Sequence, residues 1–371
     1  MIIGVPKEIK DYEHRVAIVP DGVSEFVRKG HRVFVERGAG LGSGIKDEDY
    51  EKAGATITDK EELYSRADMI YKVKEMFPEE YKYLREGLIV FTYIHSNAHR
   101  EQTDAMIAKK IVGISYEDIE DKDGKFPLLR PMSEIAGKGG FLMACQYSQK
   151  INGGKGIMLG RVHGIKTPVV AIIGAGISGL GAAEFATGLG NKVIILDINV
   201  DNLEKAKNVL PPNVELLYSN NSNIRNVLKE CDLLMNCILW PKSRKDHLVT
   251  REMLKTMKDG ALIVDVACDD GGAIESCHST THKEPVYFEQ GIMHYCVDNI
   301  PSAFSNTSTF SLCIATLPYA LEIAQKGYKN ALKENSYLRK GLSFYFGELT
   351  LSETGLKQNR PFKAPEEVLG L

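Results

Sequence analysis

The chain has 371 residues and no run of 18 apolar ones, so no helix long enough to cross a bilayer is expected. Its start, Met1-Ile2-Ile3-Gly4-Val5-Pro6-Lys7-Glu8, lacks the charged region and apolar core of a signal peptide, and a cytosolic location is expected. There is no basic excess. Lys and Arg number 46 against 49 Asp and Glu, a net charge of −3, which excludes a general nucleic-acid binder. Internal repeats and low-complexity tracts are missing as well. The seven cysteines are odd in number, scattered, and include no C-x-x-C pair, so most are expected as buried thiols. Cys268, Cys277 and His278 match no standard zinc spacing, and no metal is expected.

What is present is ordinary globular material. Apolar residues make up 43% and charged residues 26%, which excludes disorder and collagen. At roughly 150 residues per domain the length allows two domains, or three. Short β-branched runs alternate with helical stretches. Strands are expected at 2–5, 32–36, 69–73, 88–93 and 111–115, with helices at 22–29 and 100–109. The middle of the chain repeats the plan, with strands at 169–173, 193–197, 214–218, 233–239, 262–266 and 293–297. Runs of this kind predict an α/β fold with doubly wound, mostly parallel sheets buried on both faces. A helix is expected over 134–150, a glycine-rich loop over 151–167, and helices over 311–340 that pack back on the first domain. The tail after 352 reads as irregular.

One segment carries specific chemistry. Strand 169–173 runs into Gly174-Ala175-Gly176-Ile177-Ser178-Gly179, followed by a helical stretch. In a G-x-G-x-x-G turn the first glycine permits the tight bend. The second lets the backbone approach a pyrophosphate, and the third lets helix and strand pack closely. Amide groups at the helix start then face the phosphates. Asp197 ends the next strand, eighteen residues beyond Gly179. A carboxylate there suits the ribose hydroxyls of NAD and repels the 2′-phosphate of NADP. FAD shares the fingerprint and is the competing cofactor.

In open α/β sheets ligands bind beyond the carboxyl ends of strands. Arg15, Lys74, Glu75, His95, Tyr116, Glu117, Asp269, Asp270 and Asn299 occupy such positions. If the two sheets face each other across a cleft, these groups converge. Arg15 and Lys74 would supply positive charge for a small carboxylate, His95 a proton carrier, and Asp269 a nearby carboxylate. Each residue also has a plainer reading. Arg15 could be a solvated loop charge, and Lys72 or Lys74 a partner for Glu75. His95 could be structural, and Asp269-Asp270 could be turn formers.

These residues carry a resemblance. Gly4-Val5-Pro6-Lys7-Glu8 with Glu13-x-Arg15-Val16-Ala17, Lys72-Val73-Lys74-Glu75, Pro131-Met132-Ser133-Glu134, Asp265-Val266-Ala267-x-Asp269 and Thr280-Thr281-His282 resemble the alanine dehydrogenase family. That family includes the α subunit of the proton-pumping nicotinamide nucleotide transhydrogenase, whose membrane segment is not matched here. The resemblance implies two Rossmann-like domains with the active site in the cleft between them. The catalytic domain, 1–130 plus 305–371, would be discontinuous, and 131–304 would bind NAD. It implies oxidative deamination of L-alanine to pyruvate and ammonia, and the reverse.

By motif match, Arg15 and Lys74 would hold the substrate carboxylate and polarise the carbonyl oxygen. His95 would serve as acid and base, with Asp269 assisting. Ser133, Asp197 and Asn299 would meet the cofactor, together with Gly174, Gly176, Ile177, Ser178, Gly179, Ser219, Leu239 and Asp269. A homo-oligomer, hexamer or dimer, is implied.

The chain departs from the family at Ser96-Asn97-Ala98-His99, at Trp240–Lys245, at Met76-Phe77, at Asp270 and at Asp298. These departures leave open an opine-type or other amino-acid dehydrogenase with a larger or more polar substrate. A non-catalytic NAD(H)-binding regulator is a third reading, against which the retained proton-transfer set argues.

Overall fold

A computed structural model describes residues 1–241, 244–268 and 272–371. Two compact units are seen, Met1–Met132 with Ser305–Leu371, and Ser133–Phe304.

The first unit opens with β1 (Ile2–Val5), β2 (Arg32–Glu36), β3 (Thr56–Thr58), β4 (Met69–Tyr71), β5 (Ile89–Thr92) and β6 (Val112–Ser115). They pair in parallel in the order β3-β2-β1-β4-β5-β6. Every residue of β4, β5 and β6 is buried, as a sheet covered on both faces requires. The connecting helices read locally. Helix Pro20–Arg28 starts with Pro at its first turn, turns Val23 and Phe26 inward and carries a basic last turn. The strand order reverses between β1 and β4. Such a reversal is where open α/β sheets bind their ligands.

The second unit holds β7 (Val169–Ile173), β8 (Lys192–Asp197), β9 (Glu215–Tyr218), β10 (Leu233–Asn236), β11 (Leu262–Asp265), β12 (Val286–Glu289) and β13 (Ile292–Tyr295). Their order is β12-β13-β11-β10-β7-β8-β9, again reversing beside the first strand. Side chains alternate across β7. Val170 and Ile172 enter the core on one face, and Val169, Ala171 and Ile173 the core on the other. The expectation of burial on both faces fails for β9, an edge strand with exposed ends.

The C-terminal segment returns to the first sheet. After helix Ser305–Lys326, β14 (Leu342–Tyr345) pairs antiparallel with β6, and β15 (Glu348–Leu349) pairs antiparallel with β14. Phe346 and Gly347, both at positive φ (47° and 92°), make the two-residue turn between them. The tail is not irregular. Helices Ser352–Gln358 and Pro365–Leu369 follow, the second with Pro at its start. Among the described residues no helix is long and apolar enough to cross a membrane.

Candidate active site

The segments leaving β1 and β4 meet in a buried ionic network within the first unit. Arg15 is 3% exposed. Its Nε and Nη2 donate to the two oxygens of Glu13 at 2.7 and 2.5 Å, a bidentate clamp, and Nη1 approaches the Met132 sulfur at 3.1 Å. Burial opposes the Arg15 charge. The Glu13 carboxylate outweighs it and raises the guanidinium pKa. Arg15 is therefore a fixed cation in a dry place, not a solvated loop charge.

Lys72 and Lys74 divide their work. Lys72 is wholly buried, donates to both Glu80 oxygens at 2.9 and 3.0 Å, and lies 3.5 Å from Glu8. It is a structural cation. Glu8, in turn, accepts from the backbone amides of Val73 and Lys74 at 2.6 and 3.2 Å, which fixes the path of the chain at Lys74. Burial raises the Glu8 carboxyl to about 7 although Lys72 opposes it. The Lys74 ammonium has Glu75 at 3.8 Å. Burial lowers its pKa. Glu75 resists, while Lys10 and Arg15 add to the lowering. Burial would raise the Glu75 carboxyl, but Lys74 and Lys10 hold it down to about 2.

His95 sits just past β5 in the left-handed region, φ +49°. A non-glycine residue there costs energy and persists where surroundings over-determine it. Here Glu117 does so: its Oε1 accepts from the His95 amide at 2.5 Å and the Ile94 amide at 3.1 Å, and lies 3.6 Å from Nδ1. The ring lies parallel to Tyr93, centroids 5.8 Å apart, and the side chain keeps 39% exposure. Loss of solvent lowers the His95 pKa. Glu117 and Glu75 oppose this, and Lys74 and His99 reinforce it. The balance favours the neutral ring.

The polar residues after His95 have a local cause. The Ser96 hydroxyl bonds to that of Thr354 at 2.7 Å, and Thr354 donates to Asn97 Oδ1 at 2.6 Å. Gln358 donates to the Ser96 carbonyl at 2.6 Å. Ser96 and Asn97 thus receive the C-terminal helix Ser352–Gln358. The Trp240–Lys245 departure is also self-contained where described: Trp240 Nε1 donates to the Asp246 carbonyl at 2.8 Å, and Arg244 stacks 4.1 Å over the indole.

The second unit carries the glycine turn at the reversal of its own sheet. Gly174 has φ +104°, closed to a side chain. A Cβ on Gly179 would stand 1.8 Å from the Gly174 carbonyl oxygen, so only glycine lets helix Ile177–Gly188 start this close to β7. A Cβ on Gly176 would meet nothing within 4 Å. The backbone there opens on the space that a pyrophosphate would fill, with the first amides of the helix around it. Asp197 accepts from the Ala175 amide at 2.7 Å and from the Asn199 amide at 2.7 Å, tying the acid to the turn. The Ser219 hydroxyl beyond β9 is buried without a hydrogen-bond partner among the described residues. Ile177 and Leu239 expose aliphatic surface (40% and 81%). An open backbone cradle, a carboxylate and an orphaned hydroxyl at adjacent strand ends fit a dinucleotide.

Ser133 is joined to the turn through its carbonyl, which accepts from Ser178 Oγ at 2.8 Å. Asn299 is buried, and its carbonyl accepts from Ser302 Oγ at 2.9 Å beside His282 Nε2, also 2.9 Å away. Asp269 and Asp270 lie outside the described residues. Within the first unit Arg15, Lys74 and His95 share one electrostatic environment. Sequence reading left three partners without a role: Glu13, which clamps Arg15, Glu117, which clamps His95, and Glu8, which sets Lys74. Glu13 stood two residues from Arg15 in the quoted motif. Glu117 and Glu8 are joined to their targets only through the sheet.

The alanine dehydrogenase/PNT N-terminal domain model matches residues 4–136, and the C-terminal domain model matches residues 140–352. The chain is 47% identical over 371 residues to an alanine dehydrogenase of Methanococcus maripaludis, covering all of both chains. It is 47% identical over 351 residues to that of Bacillus subtilis, covering 94% of this chain and 93% of the relative. A solved L-alanine dehydrogenase superposes with a TM-score of 0.93 at 40% identity, covering 97% and 99% of the two chains. A transhydrogenase from Sinorhizobium meliloti shares the fold, with a TM-score of 0.82 at 23% identity over 94% of this chain and 100% of that one. With both domain models matched in order and such identity over the full length, the chain belongs to the alanine dehydrogenase family.

Proposed function

We propose that this chain catalyses NAD-dependent oxidative deamination of L-alanine to pyruvate and ammonia, and the reverse, with Arg15 and Lys74 binding substrate and His95 and Asp269 moving protons. The observation that carries this is the buried Arg15 cation, clamped by Glu13 in the same unit as Lys74 and the neutral His95, in a chain of this family. Arg15 supplies fixed charge for the alanine carboxylate. Lys74, with its lowered pKa, donates a hydrogen bond to the oxygen that becomes the pyruvate carbonyl. Bound NAD supplies the hydride acceptor; Gly174, Gly176, Ser178, Gly179, Asp197 and Ser219 would hold it. The His95 ring, held toward its neutral form, accepts the proton that the alanine ammonium must lose, releases it to solvent, and is then a base again for the water that adds to the imine. Asp269 assists when the carbinolamine releases ammonia. We place the enzyme in the cytosol as a homo-oligomer, hexamer or dimer, on the family resemblance.

The test is NADH oxidation with a panel of keto acids, each with ammonia or an amino acid. Pyruvate with ammonia is expected to be fastest by at least about tenfold, the scale of discrimination one hydrophobic contact provides. Faster turnover with a larger keto acid or a second amine would overturn the substrate. The engagement of Ser96 and Asn97 by Thr354 and Gln358 favours alanine, because it removes the reason to expect a polar pocket.

Glu117→Gln checks the base. The amide oxygen still accepts from the His95 and Ile94 backbones, while the charge that favours imidazolium is lost. The acid limb of kcat/KM for alanine reports His95 in the free enzyme and is expected to move to lower pH. An unmoved limb would mean that another group sets it.

A further inference from the structure

One side chain outside the machinery described above joins the two segments that carry Lys74 and His95. It is Gln102, on the helix Arg100–Ala108, which turns Gln102, Thr103 and Met106 inward. Gln102 is wholly buried. A glutamine in a dry core must find partners for its oxygen and its nitrogen; without them an apolar residue fills the place at lower cost. Neither partner of Gln102 belongs to its own helix. Its Oε1 accepts from the Met76 amide at 2.7 Å, and its Nε2 donates to the Ile94 carbonyl at 2.7 Å. These partners fix which way the amide points, because a backbone N–H only donates and a carbonyl only accepts.

Both bonds lie where the first sheet runs out. Just past β4 and β5 the last backbone bonds are from the Lys72 amide to the Phe91 carbonyl at 3.2 Å and from the Tyr93 amide to the Val73 carbonyl at 3.3 Å. Beyond them side chains take over. The buried Thr92 hydroxyl donates to the Lys74 carbonyl at 2.7 Å, and Gln102 spans Met76 and Ile94. Gln102 thus replaces the ladder that the diverging strands can no longer make. Met76 stands two residues after Lys74, and Ile94 immediately precedes His95. Ile94 is held at both its N–H, by Glu117 at 3.1 Å, and its C=O, by Gln102. That leaves His95, in its left-handed conformation, a single backbone path.

We propose that Gln102 is a positioning residue for the reaction: it holds the His95 segment in register with the Lys74 segment, so that imidazole and ammonium meet one substrate together. It touches neither substrate nor cofactor. This role rests on those proposed for Lys74 and His95.

Gln102→Met keeps the length of the side chain and removes both bonds. Alanine oxidation is measured in the full-length wild type, Gln102→Met, His95→Asn and the double variant. Gln102→Met is expected to lower kcat by at least about tenfold, since a shift of about 1 Å in a reacting group costs on the order of 10²-fold. The KM for alanine is expected to change by less than about threefold, because Glu13 still clamps Arg15 and Glu8 still accepts from the Lys74 amide. NADH affinity stays unchanged, since the glycine turn belongs to the other unit. In the His95→Asn background the same substitution is expected to cost less than about threefold, because the group it positions is gone. If Gln102→Met does not fold, Gln102→Asn takes its place in both backgrounds; its amide, one methylene shorter, cannot reach both partners. A kcat loss below about tenfold, or an equal loss in both backgrounds as a merely structural residue would give, would overturn this role while His95→Asn remains disabled. Near-full turnover in His95→Asn would instead overturn the role of His95, and this one with it.

Discussion

His95→Asn lowers kcat for alanine oxidation by at least about 10²-fold, the lower end of what positioned acid–base groups provide. Asparagine is the right replacement because it tolerates the left-handed backbone found at this position, φ +49°, so the bonds to Glu117 survive. It cannot take up a proton near neutrality. NADH binding, followed by fluorescence titration, is expected to be unchanged, because Gly174, Gly179 and Asp197 belong to the other unit. The measured split separates chemistry from binding. Near-full turnover in this variant would remove His95 from the mechanism. Asp269→Asn is expected to show the same pattern.

The second large effect separates two glycines of one turn. Gly179→Ala drives a methyl group onto the Gly174 carbonyl oxygen, 1.8 Å away, so helix Ile177–Gly188 must back away from β7. Overpacking of this kind costs about 1–3 kcal/mol and displaces the amides that face the phosphates. Both the Tm and NADH affinity fall. Gly176→Ala meets no protein atom within 4 Å. Its Tm stays at the wild-type value, while NADH affinity falls because the methyl group occupies the space reserved for the pyrophosphate. Wild-type NADH affinity in Gly176→Ala would show that the phosphates lie elsewhere.

These contrasts trace to what the chain encodes locally. The glycine turn and Asp197 were legible because strand, turn, helix and acid follow within thirty residues and their geometry is backbone geometry. Arg15, Lys74 and His95 were legible as strand-end residues. The parallel character of β1, β2, β4, β5 and β6 was legible from their apolar runs, but the order in which they pair was not. Short edge elements were not legible. Thr56–Thr58 and Val286–Glu289 lie at sheet edges, are partly exposed and are only three and four residues long. The pair Leu342–Tyr345 and Glu348–Leu349 turns through Phe346-Gly347, outside the usual Asn-Gly and Asp-Gly signals. The departures at Ser96 and Asn97 were misleading for a related reason. Polar residues beside a candidate base suggest a polar ligand, but their partners, Thr354 and Gln358, stand more than 250 residues away. Glu117 shows the same limit: its place on the chain is local, but its hold on His95 spans a strand pair.

The return of the C-terminal segment to β6 has a consequence for synthesis. While the ribosome is still translating, residues 133–304 emerge as a complete unit before Leu342–Tyr345 exists. The first sheet must wait. Its outer strand β6 is buried throughout in the finished fold, yet it stays an unpaired edge until the last tenth of the chain arrives. Chains released early, without that last hairpin, would present this edge to one another and aggregate.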